Sequence, residues 1–234
     1  MIGDKGSAAA TLKLVRLLQL ASPTLPIGAY SYSQGIEWMV AEGAIHDGAS
    51  AQRWIGEVLE CIFAPGEAAV LWHMLLVAQK NDWQGLREWN SWFLASRETA
   101  ELRAETEQMG GSLAGLARDL GILDVQLLAV SRDLGRTSLP AAYALVAIGF
   151  GLPADATLTA YAWAWLENQV MAAIKSIPVG QVAGQRLLLA LGERIPAMVA
   201  RAQMTDAVDV ATFAPGLAIA CARHETQYSR LFRS

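Results

Sequence analysis

Lysine is scarce in this chain: it occurs only at Lys5, Lys13, Lys80 and Lys175, so arginine supplies most of the 18 basic side chains that face 22 acidic ones. The resulting formal charge of −4 argues against a general nucleic-acid coat or a polybasic membrane binder. The arginine bias suits planar, bidentate contacts better than diffuse steering. Cysteine is rarer still, and Cys61 with Cys221 cannot make a disulfide scaffold. Long apolar runs are also missing. The longest charge-free one, Ala141 to Leu152, is crowded by Pro140, Gly149, Gly151 and Pro153 and falls well short of the ~20 residues a membrane helix needs. At the amino terminus, Lys13 and Arg16 interrupt what would have to be the apolar centre of a secretory signal. These absences predict a soluble, cytoplasmic protein.

Chemical motifs are equally sparse. The chain has no GxxxxGK[ST] loop, no GxGxxG between strand and helix, and no GxSxG elbow, so it is not expected to hydrolyse nucleotides or esters by itself. His46, His73 and His224 show neither HExxH nor CxxC spacing, which argues against a dedicated zinc site. Cys221 and His224, three apart, would share a helix face and supply two ligands, an incomplete metal site unless a dimer completed it. The plainer reading packs Cys221 as a small hydrophobe and gives His224 polar contacts. No catalytic residue and no intrinsic cofactor is therefore assigned, and the chain is not read as an enzyme.

What is present is apolar mass and helical rhythm. Hydrophobic residues make up 53% and charged ones 17% of the sequence, enough for a sizeable core and too apolar for a disordered linker. Alanine and leucine dominate, and β-branched and aromatic residues seldom alternate with polar ones at period two, which predicts one all-α domain of antiparallel, bundle-like helices. A disordered lead is expected over residues 1–10, a helical domain over 11–222 and a partner-binding tail over 223–234.

Within the domain, a helix over Thr11–Ala21 places Leu14, Leu17 and Leu18 on one face. Ser31 and Gln34 fit a capping-box start for a second, and Ser50 can cap a third that breaks at Pro65 and Gly66. Further helices are expected over Glu67–Lys80, from Asn81–Asp82 onward, and over Asp124–Leu134, Pro140–Phe150, Thr157–Ser176, Gly180–Arg194 and Pro196–Met204. The charged stretch Ser96–Gly111 offers i,i+4 pairs, Arg97 with Glu101 and Arg103 with Glu107, and reads as a solvated face.

The tail RHETQYSRLFRS interleaves Arg223, Arg230 and Arg233 with Tyr228, Leu231 and Phe232. In a helix the last three would form a short apolar stripe for a partner groove; equally, a terminal Phe can fold back on its own core. Both readings stay open on the residues alone, with Arg and Tyr leaning toward an interface.

Four blocks in order, LLQLASPTLPIGAYSYSQGIEW, SRETAELRAETEQMG, ENQVMAAIKSIPVGQVAGQRLL and HETQYSRLFRS, closely resemble the UreF family of urease accessory proteins. The match runs from about Leu12 to the carboxyl end. The resemblance implies an all-helical homodimer that binds the accessory protein UreD, also called UreH, and through it recruits the GTPase UreG. The assembly would act on apo-urease so that nickel reaches a carbamylated-lysine site, with nickel and GTP handled by the wider complex and neither nucleic acid nor membrane as partner.

Carried over by position, the resemblance implies that Arg223, His224, Glu225, Tyr228, Arg230 and Phe232 bind UreD. Pro26, Gly28, Tyr32, Ser33, Gln34 and Gly35 would lie at a dimer or partner surface, the alternative being a tight loop packed by Tyr30 and Tyr32. Glu37, Lys175, Gln181 and Gln185 would face UreG, the alternative being an internal hydrogen-bond network. Glu167, Met171 and Lys175 would share one helical stripe. Gly111 after Gly110 departs from the family pattern and is expected to break or bend the charged helix. Two other classes compete: a small all-α enzyme working through carboxylates, which would turn over substrate alone, and a nickel carrier acting directly on urease, which would bind metal stoichiometrically.

Overall fold

Helix-forming composition and clear punctuation give twelve α-helices in a computed structural model that describes residues 5–234. They are α1 (Lys5–Leu20), α2 (Ile36–Ala41), α3 (Gly48–Val58), α4 (Ala69–Gln79), α5 (Trp83–Ala95), α6 (Ala100–Asp119), α7 (Val125–Leu134), α8 (Leu139–Phe150), α9 (Ala154–Ser176), α10 (Gln181–Gly192), α11 (Ile195–Met204) and α12 (Pro215–His224). No strand occurs among the described residues. The all-α expectation therefore holds. Side-chain caps explain several starts: Asp47 and Ser50 form a reciprocal capping box at α3, and Asp82, Thr99, Asp124 and Ser138 each accept a backbone N–H at the start of α5, α6, α7 and α8.

The hydrophobic centre is α8. Every residue from Leu139 to Ala147 is buried, and the helix lies between α4 and α6, its Tyr143 ring meeting Tyr161 of α9 edge-on at 4.7 Å. Close approach rather than flexibility explains Gly110: a Cβ there would stand 2.2 Å from the Thr137 carbonyl oxygen. Helix α6 continues through the Gly110–Gly111 pair, and no break is found there. Between α3 and α4 the chain makes wide π-type turns over Leu59–Ala68, where Pro65 lacks an N–H and Gly66 leaves helical geometry (φ −103°, ψ −106°). The whole stretch Gly48–Gln79 is long and apolar enough to cross a membrane by length and composition, unlike the shorter run singled out from the sequence. Here 56% of its most apolar window is buried within the fold, as in the core helix of a water-soluble bundle.

Several local expectations are corrected. Helix α1 starts at Lys5, so the part of the predicted lead over residues 5–10 is helical, while residues 1–4 lie outside the described range. Its predicted apolar face splits: Leu17 packs on the core, whereas Leu14 and Leu18 are exposed. Ser31 does not cap a helix; it ends a 3-10 turn over Ala29–Ser31, and α2 begins after Gly35. The charged stretch is not a solvated face, because Glu105 and Thr106 are buried. Its ion pairs are long-range, Arg97 with Glu67 at 3.4 Å and Glu107 with Arg136 at 3.5 Å, since tertiary partners offer better geometry than neighbours on one helix. The last ten residues are turns and bends with no helix, so Tyr228, Leu231 and Phe232 form no stripe.

Candidate functional site

The site begins with two consecutive left-handed residues, Gln34 (φ 50°) and Gly35 (φ 81°), which reverse the chain into α2. Gly35 is required twice over: its φ suits glycine, and a Cβ would come within 3.0 Å of the Ala220 Cβ on α12. Gln34 holds an unfavourable backbone because its side chain is fixed on both ends. Its Nε2 donates to Glu105 Oε1 at 2.8 Å, and its Oε1 accepts from Trp165 Nε1 at 3.0 Å and Gln169 Nε2 at 3.2 Å.

That turn presents Glu37 on α2 to the carboxyl-terminal segment, residues 225–234, which folds back as a strap. Glu37 Oε1 accepts the Leu231 N–H at 2.6 Å and Oε2 accepts the Phe232 N–H at 3.0 Å, while His224 Nε2 lies 3.1 Å from Oε2. The other imidazole nitrogen, Nδ1, is 2.8 Å from Glu101 Oε2, and Arg230 donates to Glu101 Oε1. A neutral ring donates through one nitrogen only, so satisfying both carboxylates takes an imidazolium or one protonated carboxyl. Glu101 is tied in turn to the start of the strap, for its backbone N–H donates to Glu225 Oε1 at 3.0 Å. The strap ends buried: Ser234 Oγ donates to Glu105 Oε2 at 2.7 Å, and its carbonyl oxygen accepts from Ser33 N–H and Oγ at 2.7 and 2.5 Å.

Three carboxylates thus hold ten residues of otherwise irregular chain. Each hydrogen bond to an ionised acceptor is worth about 1.5–3 kcal/mol, enough to order a segment that has no secondary structure of its own. Burial pushes the Glu105 carboxyl up to about 7 despite its bonds from Ser234 and Gln34. Burial likewise raises the Tyr32 phenol, whose hydroxyl donates to Gln108 Oε1 at 2.7 Å. Phe232 is the strap's apolar anchor, and Lys175 Nζ stands 5.7 Å from its ring centre and 5.9 Å from that of Tyr30.

The structure therefore brings together residues that the sequence placed in three separate groups. His224, Glu225, Arg230 and Phe232 of the tail, Tyr32, Ser33, Gln34 and Gly35 of the turn, and Glu37 and Lys175 all belong to one constellation. Tyr228 and Arg223 point outward, with Tyr228 wholly exposed; Pro26 is exposed and Gly28, left-handed at φ 82°, is half-buried. Gln181 and Gln185 are exposed on α10 and do not join it. Glu37 is 7% exposed beneath the strap, so its role here is to hold the strap's backbone. Cys221 is buried, which raises its thiol pKa, and both nitrogens of His224 are spent on carboxylates, in keeping with the packed reading of that pair. Glu101 and Glu105 were missed. The available signal was their spacing with Gln108 at i, i+4 and i+7, a polar stripe on one face of α6.

Comparison with known proteins bears on what this constellation serves. A family model described as UreF matches residues 45–192. The chain is similar to the urease accessory protein UreF of Azoarcus sp. (strain BH72), 51% identical over 231 residues and covering 97% of this chain and 98% of the relative. It is also similar to the UreF proteins of Methylobacillus flagellatus, 48% identical over 94% of this chain and 97% of the relative, and of Dechloromonas aromatica, 49% identical over 95% and 98%.

Proposed function

The chain belongs to the UreF family of urease accessory proteins, and from that premise we propose that it is the scaffold and regulator of a nickel-delivery complex. In this reading it works in the cytoplasm as a homodimer, binds UreD/UreH through the strap, recruits the GTPase UreG and regulates its hydrolysis, and so supports GTP-dependent insertion of nickel into apo-urease. It is an accessory protein and not itself an enzyme.

The observation that carries the partner assignment is the strap. Glu37 fixes its backbone, and Glu101 and Glu105 hold the Arg230 and Ser234 side chains, yet Tyr228, Arg230, Leu231 and Arg233 all keep exposed surface. An ordered segment displaying Tyr, Leu and two Arg side chains has already met most of the entropic cost of docking, and these residue types anchor interfaces. Lys175, Gln181 and Gln185 are exposed near and beyond it, which leaves them accessible for the UreG-facing role. The alternative, a nickel carrier acting directly on urease, has less support: among the described residues no group of three or more His, Cys, Asp or Glu side chains is placed to hold an ion.

Co-purification with UreD tests the reading, using the full chain beside one ending at Ala222, followed by urease activation with UreG and nickel. The full chain should enter the complex and support activation, and the shortened chain should do neither while keeping its helicity. Equal binding by both would place the recognition surface elsewhere.

A further inference from the structure

Beside the turn that carries Gln34 lies a cavity of about 160 Å³, walled by Leu20, Ile27, Met109, Tyr143, Trp165 and Met171. An apolar void of about 150 Å³ accommodates a benzene-sized body. Aromatic faces are prominent on the wall, where the Tyr143 and Tyr161 rings meet edge to face at 4.7 Å. The donors of Tyr143, Tyr161, Trp165 and Gln34 are committed within the protein, to the Leu20 carbonyl, Glu67, Gln34 and Glu105 in turn. What these walls still offer is acceptor capacity and negative charge, so a ligand has to bring the donors itself.

Three carboxylates line the cavity, and they are not equivalent. Glu67 lies 3.4 Å from Arg97 and takes the Tyr161 hydroxyl, and Glu105 accepts from Gln34 and Ser234. Glu167 makes no such bond among the described residues, and burial alone raises its carboxyl pKa. Lys175, the one cation among the lining residues, does not serve it. It lies eight residues further along α9, about 12 Å of helix rise. Its ammonium stands instead over the Tyr30 and Phe232 rings, 5.9 and 5.7 Å from their centres.

We propose that this cavity binds a small organic ammonium ion, its apolar body of about benzene size against the aromatic walls and its head on the Glu167 carboxylate. An unpaired, partly buried carboxylate gains most from an arriving cation, and aromatic faces attract the same charge. An organic anion would meet like charge and find its donor only at Lys175, which is exposed at the rim. Gln34 and Glu105 of the same wall also hold the strap, so the ligand lies against groups that order it. The inference stands apart from the accessory role and does not depend on it.

Isothermal titration of the full chain with benzylammonium chloride tests this, beside neutral benzyl alcohol and anionic phenylacetate. One ammonium should bind per chain with a dissociation constant of about a millimolar or tighter, the scale for a ligand of about eight non-hydrogen atoms. Its affinity should exceed that of either comparator by about tenfold or more. Glu167→Gln alters a half-buried position and should keep the helicity while abolishing the preference for the ammonium over the alcohol. Ala164→Phe, which fills the cavity from its wall, should abolish binding of all three. As a readout of place, in a chain with 13C-labelled methionine methyls the Met109 and Met171 signals should shift on titration, and that of exposed Met204 should not. A partner's lysine carries the same head, but N-acetyl-lysine methylamide should bind about tenfold more weakly than benzylammonium, because it leaves the aromatic walls unfilled. The reverse order would overturn the free amine as occupant. No saturable binding of benzylammonium at about 10 mM, equal binding of the alcohol, or shifts confined to other methionines would overturn the site.

Discussion

Helix α8 and the strap are both ordered, and for different physical reasons. From Leu139 to Ala147, α8 is buried without a charged side chain, and its stability comes from dispersion and removal of apolar surface from water. In the strap only Phe232 and Ser234 are buried, and the segment is held by carboxylates more than a hundred residues away in sequence, Glu37 on its backbone and Glu105 on the Ser234 hydroxyl. The first arrangement tolerates little change of volume, whereas the second depends on charge and directed hydrogen bonds. A molecule built this way keeps its body packed while the order of one surface segment is set by three side chains.

Breaking the α8 side should give the largest effect. Gly110→Val would drive a side chain into the Thr137–Ser138 backbone, and we expect a loss of about 3 kcal/mol or more in denaturant unfolding. Glu37→Gln keeps the shape but removes the charge that accepts the Leu231 and Phe232 N–H groups and faces His224. Stability should fall by about 2 kcal/mol, and amide exchange at Leu231 and Phe232 should accelerate far more than at α8.

The effect of pH should be confined to the strap side. Glu105 titrates near 7 in the folded chain against 4.5 in an exposed carboxyl, so the folded state binds the proton more tightly. Its contribution is fully present below about pH 4.5 and is lost as pH rises through about 7; Glu105→Gln should flatten that part of the stability–pH profile. Smallest of all, Tyr228→Ala should leave stability within about 0.5 kcal/mol, because the side chain is wholly exposed, yet it should weaken capture of UreD.

The same contrast explains how much was legible beforehand. Helical periodicity, caps and Gly/Pro breaks marked most of the body, because those signals act within a few residues. Helix α12 was not anticipated, and the helical tail was wrong, since nothing local says that Glu37 will take the backbone of Leu231 and Phe232. The charged stretch misled for a related reason. Arg97, Glu101 and Glu105 look like a solvated face until the strap, α9 and the turns before α4 are brought against them, and only then do their tertiary partners outweigh neighbours on the helix. Gly110 shows the reverse case, a residue read as a bend that is a point of close helix-to-loop contact. The fold-back of Phe232, one of two readings left open, is where local pattern had least to say and long-range hydrogen bonding decided.

The central claim is that the strap serves as a recognition surface only while its carboxylates hold it. Hydrogen exchange at the strap amides and UreD affinity, measured on the same preparations of the native chain and Glu37→Gln, test it most directly. Release of the strap together with at least about a tenfold loss of affinity is the expected result. A released strap with unchanged affinity would contradict it, showing that UreD reads these residues without their ordered arrangement.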